Sequence, residues 1–314
     1  MSRQVDFEID NQWVRSQRGP KNQVETHKPY GFFVEEERSA GGEIEKVATI
    51  FLTNNECPFH CLMCDLWKNT TSVPVKPGAI PAQIRWALDR MPKAKTIKLY
   101  NSGNFFDVKA IPPEDYEQIA ELLKNYERVI VESHPKLINR LTYSFQELLD
   151  PQLEVALGLE TAQPQVLERL NKNMTLDDFA KAVQILNLHH IPTRAFILVK
   201  PPFMNESEGV VWAQRSLDFA FDQSVQRCTV IPTRNGNGAL DEIGAMGFFS
   251  QPRLRSLEKV LDYGVSQYPG KVFADLWDLE LFSECPNCLT KRQERLHQMN
   301  VRQTVLPEVP CSCN

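Results

Sequence analysis

Short apolar, β-branched runs recur along this chain, with longer stretches of helical spacing between them. The first convincing run, 46–53, reads Lys-Val-Ala-Thr-Ile-Phe-Leu-Thr. Similar runs follow at 96–100, 128–132, 154–159, 193–199 and 228–231. Between them, apolar residues fall at three- and four-residue intervals over 81–91, 113–125, 176–189, 207–221 and 252–267, which predicts helices. Pro113-Glu-Asp is a good helix opening, and Thr175 stands where an N-cap belongs. Strand and helix thus alternate about six times, the pattern of a parallel sheet with crossover helices. The strands are near-continuously apolar, as a sheet covered on both faces requires. Periodicity alone does not separate an open doubly wound sheet from a barrel. In either, chemistry gathers at the C-terminal ends of the strands.

Outside this region the pattern fades. Residues 1–45 are polar and mixed in charge and read as a loop-rich lead-in that packs on the main domain. The segment from Phe282 reads as irregular and cysteine-rich. The expected organisation is a lead-in over 1–45, an α/β core over 46–281 and a small tail over 282–314. No internal repeat or low-complexity tract interrupts it. The 314 residues are 42% hydrophobic and 24% charged, which excludes disorder over the whole chain. No run approaches the ~20 apolar residues of a membrane span. The first residues lack the apolar core of a secretory signal. A formal net charge of -5 excludes a strongly basic nucleic-acid coat, though not a local patch.

The eight cysteines change the picture because of where they sit. Cys57, Cys61 and Cys64 follow the first strand with C-x3-C-x2-C spacing, and Cys285, Cys288, Cys311 and Cys313 crowd the C-terminus. Clustering in a mid-sized chain points to metal ligation in a reducing compartment such as the cytoplasm, rather than to a disulfide framework. Cys228 stands alone and reads as a small core hydrophobe. Three thiolates from one tight loop suit three irons of a cubane iron–sulfur cluster, leaving the fourth iron open to an outside ligand. The alternative is a structural zinc knuckle with His60 or a distant residue as fourth ligand. Zinc sites more often use two separated ligand pairs, so spacing and context favour iron–sulfur.

With that spacing in that place, the sequence resembles the radical S-adenosylmethionine superfamily over approximately 46–267. The resemblance implies a partial (β/α)6 TIM-type barrel. It also implies a [4Fe-4S] cluster that binds S-adenosylmethionine and cleaves it reductively to methionine and a 5′-deoxyadenosyl radical, which takes hydrogen from a substrate. An electron donor such as flavodoxin or ferredoxin goes with that chemistry. Met63 departs from the aromatic residue often found before the third cysteine, but a thioether also covers a ring. Asn101, Ser102 and Gly103, after the second predicted strand, take the place of the family's glycine-rich turn that meets the cofactor's amino group, although the usual double glycine is absent. Glu132 ends the third strand, where it can accept from the ammonium or ribose. Glu160, in Gly158-Leu-Glu160-Thr161, matches a ribose-binding position. Lys172 matches a basic residue for the methionine carboxylate. Each has a plain reading as an exposed strand-end carboxylate or a solvated lysine; their matching order at one end of the sheet favours cofactor binding.

The turn Lys200-Pro-Pro-Phe203 and the Gly-Leu-Glu-Thr element resemble a narrower branch that includes the Elongator catalytic subunit and the archaeosine-synthase radical partner. Lys200 is the candidate catalytic residue, with a surface lysine on a rigid turn as the equal alternative. Thr233–Gly238, after the sixth strand, reads as a flexible substrate loop or a plain turn. His189-His190 reads as a favourable charge at a helix end rather than a metal site. In the tail, Cys285-Pro-Asn-Cys288 and Cys311-Ser-Cys313 suit a four-thiolate site, zinc first and a second iron–sulfur cluster next. Lys291, Arg292, Arg295, His297 and Arg302 between the pairs form either a patch for RNA phosphates or a solvated helix face. The expected function is therefore a radical S-adenosylmethionine enzyme acting on a small molecule or a modified tRNA base. A zinc-binding interaction protein and a non-catalytic RNA-binding module are the alternatives.

Overall fold

The computed structural model describes residues 8–39 and 41–311. Eight strands form one sheet in chain order: β1 (Gly31–Arg38), β2 (Ile44–Phe51), β3 (Thr96–Tyr100), β4 (Arg128–Ser133), β5 (Gln152–Glu160), β6 (Thr193–Val199), β7 (Arg227–Pro232) and β8 (Val272–Ala274). β1 pairs antiparallel with β2, and every later neighbour is parallel. Each parallel step crosses over through a helix, among them Ala79–Leu88, Tyr116–Leu123, Arg140–Leu148, Leu176–Leu188, Glu206–Asp222 and Leu254–Gln267. The sheet curls into a partial barrel, the α/β architecture expected from the alternation. Thr175 caps its helix as predicted, in a reciprocal capping box with Asp178.

Alternation along the parallel strands separates two environments. Ile50, Ile97, Leu99, Val129, Val131, Val155, Ile197 and Val230 face the helices and are fully buried in one core that also holds Cys228. The intervening positions face the lumen and carry charge. Glu154 on β5 pairs with Arg194 at 3.0 Å and Arg227 at 3.1 Å, while Lys98 on β3 pairs with Glu35 and Glu37 of β1. Against the cost of burial, Lys98 and Arg194 hold the Glu37 carboxyl down at about 2. A mutually satisfied ion network thus fills the lumen beneath the strand ends.

Several local features depart from the sequence reading, among them strand β8 and the short helices Asn11–Ser16, Pro164–Arg169 and Ala239–Ala245, which it left unassigned. The lead-in contains β1, whose Glu35-Glu-Glu37 run reads as polar loop because two of its carboxylates point at Lys98. A helix, Arg140–Leu148, occupies the unassigned stretch between β4 and β5. Residues Pro286–Arg302 of the tail form a helix rather than irregular chain, with Leu296 and Met299 in the main core. This C-terminal helix packs between β1 and β8. Asn300 exchanges hydrogen bonds with both backbone groups of Ala274, Gln303 donates to Val272 O, and Arg38 of β1 donates to Val301 O. Side chains of one helix therefore satisfy the edge of β8. Cys313 lies outside the described residues. Among those described, no helix is long and apolar enough to cross a membrane.

Candidate functional site

The loop after β2 carries Cys57, Cys61 and Cys64 at the C-terminal end of the sheet, where parallel strands leave their loops free for chemistry. It is held from several sides. From the lead-in, Arg18 and Lys21 pair with Glu56. From the loop after the helix Pro164–Arg169, Leu170 O accepts from Leu62 N at 2.8 Å, and Asn171 Nδ2 donates to His60 O at 2.8 Å. From the loop after β7, buried Asn237 donates to Leu62 O and Cys64 O and accepts from Leu240 N. That last segment is accordingly a strut beneath the cysteine loop, in place of the flexible substrate loop the sequence suggested.

The Asn101–Gly103 turn meets the cysteine loop directly. A Cβ on Gly103 would lie 3.4 Å from Cys57 Cβ, so the turn and the cysteine loop pack in van der Waals contact. Cys57 Sγ accepts from Asn104 Nδ2 at 3.1 Å and from Phe59 N at 3.4 Å. Burial pushes all three thiols up to about 12 as uncoordinated groups. N–H donors aimed at a sulfur, with the Lys172 ammonium nearby, suit thiolates that coordinate a metal cluster. Both amide atoms of fully buried Asn101, together with Thr53 Oγ1 and Asn54 Oδ1 on the neighbouring strand end, have no hydrogen-bond partner among the described residues. Buried polar atoms left this way at one strand end are what a polar cofactor would satisfy.

Glu132 lies under the turn rather than beside it. Its Oε1 accepts from Asn101 N at 2.8 Å, and the N–H groups of Ser102 and Gly103 also point at the carboxylate. Burial raises the carboxyl to about 7 in spite of these donors. The geometry makes Glu132 a support for the turn. Ser102 is left-handed, φ 51°, and its hydroxyl bonds to Tyr30, a residue the sequence reading did not single out.

Glu160 and Lys172 come together as one buried ion pair, Nζ to Oε1 2.7 Å. A register shift between Gly158 and Glu160 in β5 re-aims the carboxylate, and Glu160 takes a left-handed φ of 66°. Gly158 makes room for the pair: a Cβ there would overlap the carboxylate and lie 2.6 Å from Lys172 Nζ. Burial opposes the Lys172 charge, but Glu160 and the cysteine sulfurs outweigh it and raise the ammonium above its ordinary range. His134 fixes the backbone here. Its Nδ1 accepts from Lys136 N, its Nε2 bonds to Lys172 O at 2.9 Å, and its ring stacks on Phe59 at 3.7 Å. Burial drives its pKa to about 3, so the ring is neutral.

Lys200 is placed differently from the cysteines' neighbours. Its Nζ donates to Ser250 O, Ser250 Oγ and Gln251 O and pairs with Glu206 at 3.0 Å. That ammonium is fully engaged in clamping a loop to the end of β6. His189 stacks on Tyr143 at 3.7 Å. Two of the five residues of the supposed basic patch of the tail are internal, while Lys291, His297 and Arg302 are exposed. Arg292 pairs with Glu258, and Arg295 with Asp262, both arginines being buried. The supporting residues Asn104, Asn171 and Asn237 escaped the sequence reading because asparagine between elements signals only a turn.

Comparison with known proteins bears on this geometry. No protein-family model matches the chain. It is 30% identical over 166 residues to the archaeosine synthase subunit beta of Thermococcus kodakarensis, covering 50% of this chain and 51% of that protein. It is 23% identical over 244 residues to an uncharacterized protein of Methanocaldococcus jannaschii, covering 73% and 66%. The chain thus spans about half to two thirds of the length of these curated relatives. Among solved structures, it superimposes on the archaeal Methanocaldococcus infernus Elp3 with a TM-score of 0.54 at 15% identity, covering 73% of this chain and 62% of that one. On methylornithine synthase (PylB) the TM-score is 0.56 at 12% identity, covering 96% and 82%. The chain therefore shares its fold with the archaeal Elp3 and methylornithine synthase, and over about half its length its sequence is similar to archaeosine synthase subunit beta.

Proposed function

We propose that this chain is a radical S-adenosylmethionine enzyme subunit whose substrate is a modified base in tRNA. One observation carries the proposal. The C-x3-C-x2-C loop, the Asn101–Gly103 turn and the Glu160–Lys172 pair, far apart in sequence, meet at one end of a partial barrel. In this reading Cys57, Cys61 and Cys64 hold three irons of a [4Fe-4S] cluster, and the turn and the ion pair orient S-adenosylmethionine against the fourth. The reduced cluster and S-adenosylmethionine, once bound there, would together supply the carbon radical that removes hydrogen from substrate, the electron coming from an external donor. The chain's own residues do the rest. Glu132 keeps the turn's N–H groups in place, and Glu160 offers an acceptor to hydroxyls. Lys172 offers a cation to a carboxylate, and Asn104 with Phe59 supports the Cys57 thiolate. Lys200, tied to Ser250 and Gln251, is left as a positioning residue for the end of β6.

The tRNA base is inferred from the relatives named archaeosine synthase subunit beta, and so is a partner subunit to bring the RNA. A partner accounts for an acidic chain in which Arg292 and Arg295 of the tail are already paired. A small-molecule substrate is the second reading; a reduced flavodoxin or ferredoxin is the class of electron donor. The zinc-binding interaction protein and the non-catalytic RNA module gain no support from a cysteine loop so placed.

The test is anaerobic reconstitution of the wild type and of the Cys57/Cys61/Cys64→Ala variant. Iron, sulfide and 5′-deoxyadenosine formed from S-adenosylmethionine under a strong reductant are then measured. About four irons per chain and cleavage in the wild type, both lost in the variant, are expected. A wild type that takes up no iron, or that holds it without cleaving the cofactor, overturns the proposal.

A further inference from the structure

The second cysteine group stands apart from the cofactor site. The Sγ atoms of Cys285, Cys288 and Cys311 all lie within 4.8 Å of one another, the only trio of cysteine, histidine or carboxylate donors so close among the described residues. We propose that they are three of the ligands of a closed, mononuclear zinc site.

Spacing decides between zinc and a second cluster. Thiolates on one tetrahedral zinc, at ~2.3 Å each, stand ~3.8 Å apart. Those of a cubane sit on separate irons and must be spread wider. The tail trio has the tighter spacing.

The chain is built to bring the distant cysteine back. Cys285 precedes the first turn of the C-terminal helix and Cys288 lies within it, both buried. From Cys288 to Arg302 the helix runs ~21 Å. It ends on Gln303 in the left-handed conformation, φ 52°. The strap 304–311 then returns along the helix, and an extended strap of that length covers ~26 Å, enough to reach the start. Arg295 holds it on the way. Its guanidinium donates to Leu306 O and Pro307 O while pairing with Asp262. N–H groups of Cys288 and Asn287 point at the Cys285 sulfur. The Arg292 guanidinium lies beside the Cys288 sulfur. Both favour thiolates at the helix start.

Cys311 is disulfide-bonded in this structure. Loading therefore begins with a thiol or phosphine reductant. It delivers two electrons and two protons to the disulfide and gives two thiols. As Zn2+ binds, each ligating thiol releases its proton to solvent. The zinc then fastens strap to helix, and the helix holds the edge of β8.

The experiment uses the whole chain, purified with a phosphine reductant and supplied with Zn2+, with zinc and iron counted on the wild type and on Cys285→Ser/Cys288→Ser. About one zinc per chain, lost in the variant while iron at the other cysteines is unchanged, is the expected result. No bound zinc under reductant overturns the site. So does zinc that survives in the variant, or a second set of about four irons that the variant loses. Should the variant precipitate, Co2+ loading of the wild type decides. A tetrahedral thiolate spectrum displaced by about one Zn2+ per chain supports the site, and its absence overturns it.

Discussion

The two cysteine groups of this molecule are supported in opposite ways. The triplet rides on a loop gripped by the lead-in, the β3 turn and the segments after β5 and β7, so that each neighbour fixes a different point. The tail group is drawn together by one helix and one returning strap, with Arg295 as the principal clasp. A site that leaves one metal position open must have its shape imposed from outside. A closed four-ligand ion imposes its own shape and needs only to have its ligands delivered.

The largest effect separating the two lies at Lys172. Lys172→Met leaves the Glu160 carboxylate buried without its partner and is expected to cost roughly 3–5 kcal/mol in chemical denaturation. Glu160→Gln in the same chain should restore part of that stability without restoring S-adenosylmethionine cleavage. Full recovery of cleavage would remove the pair from the cofactor site. Next comes the clasp. Arg295→Met should cost roughly 2–4 kcal/mol through Asp262 and the strap carbonyls. It should weaken zinc retention against a chelator and leave the iron count alone. Parallel loss of iron would show that the two groups are not independent.

The third effect is a pH dependence. Glu132 has its carboxyl raised to about 7 in the fold, above its value in the unfolded chain. Its contribution to stability is complete below about pH 4 and declines as pH rises through 7. Glu132→Gln removes that decline. Relative to wild type, the variant should gain roughly 3 kcal/mol between pH 4 and pH 8 in paired denaturation curves. A constant difference across that range would place the carboxyl in water.

What the sequence disclosed follows the same division. The central parallel strands were legible because their helix-facing positions are largely apolar, and single charged residues such as Lys98, Glu154 and Arg194 interrupt the runs on the lumen face. β1 was hidden by Glu35 and Glu37, which look like solvent-facing charge until Lys98 is seen behind them. The C-terminal helix was hidden likewise, since Arg292 and Arg295 have carboxylate partners more than thirty residues away. At the site, the cysteines, Glu160 and Lys172 announce themselves by type and order. Glu132 was noticed, but its downward aim into the turn depends on backbone geometry. Lys200 was noticed too, yet its partners Ser250 and Gln251 lie in a loop that no local pattern connects to it.

The way the C-terminal helix meets β8 also bears on how this protein stays apart from its own copies. A bare strand edge is a template on which another chain can add a strand. Here Asn300 and Gln303 occupy the backbone groups of Val272 and Ala274 that such a strand would use. The cysteine-bearing helix is thus a guard against self-association. A chain shortened ahead of Pro286 would keep its cofactor residues and lose that guard, so its failure would come as aggregation of folded molecules before any loss of the barrel itself.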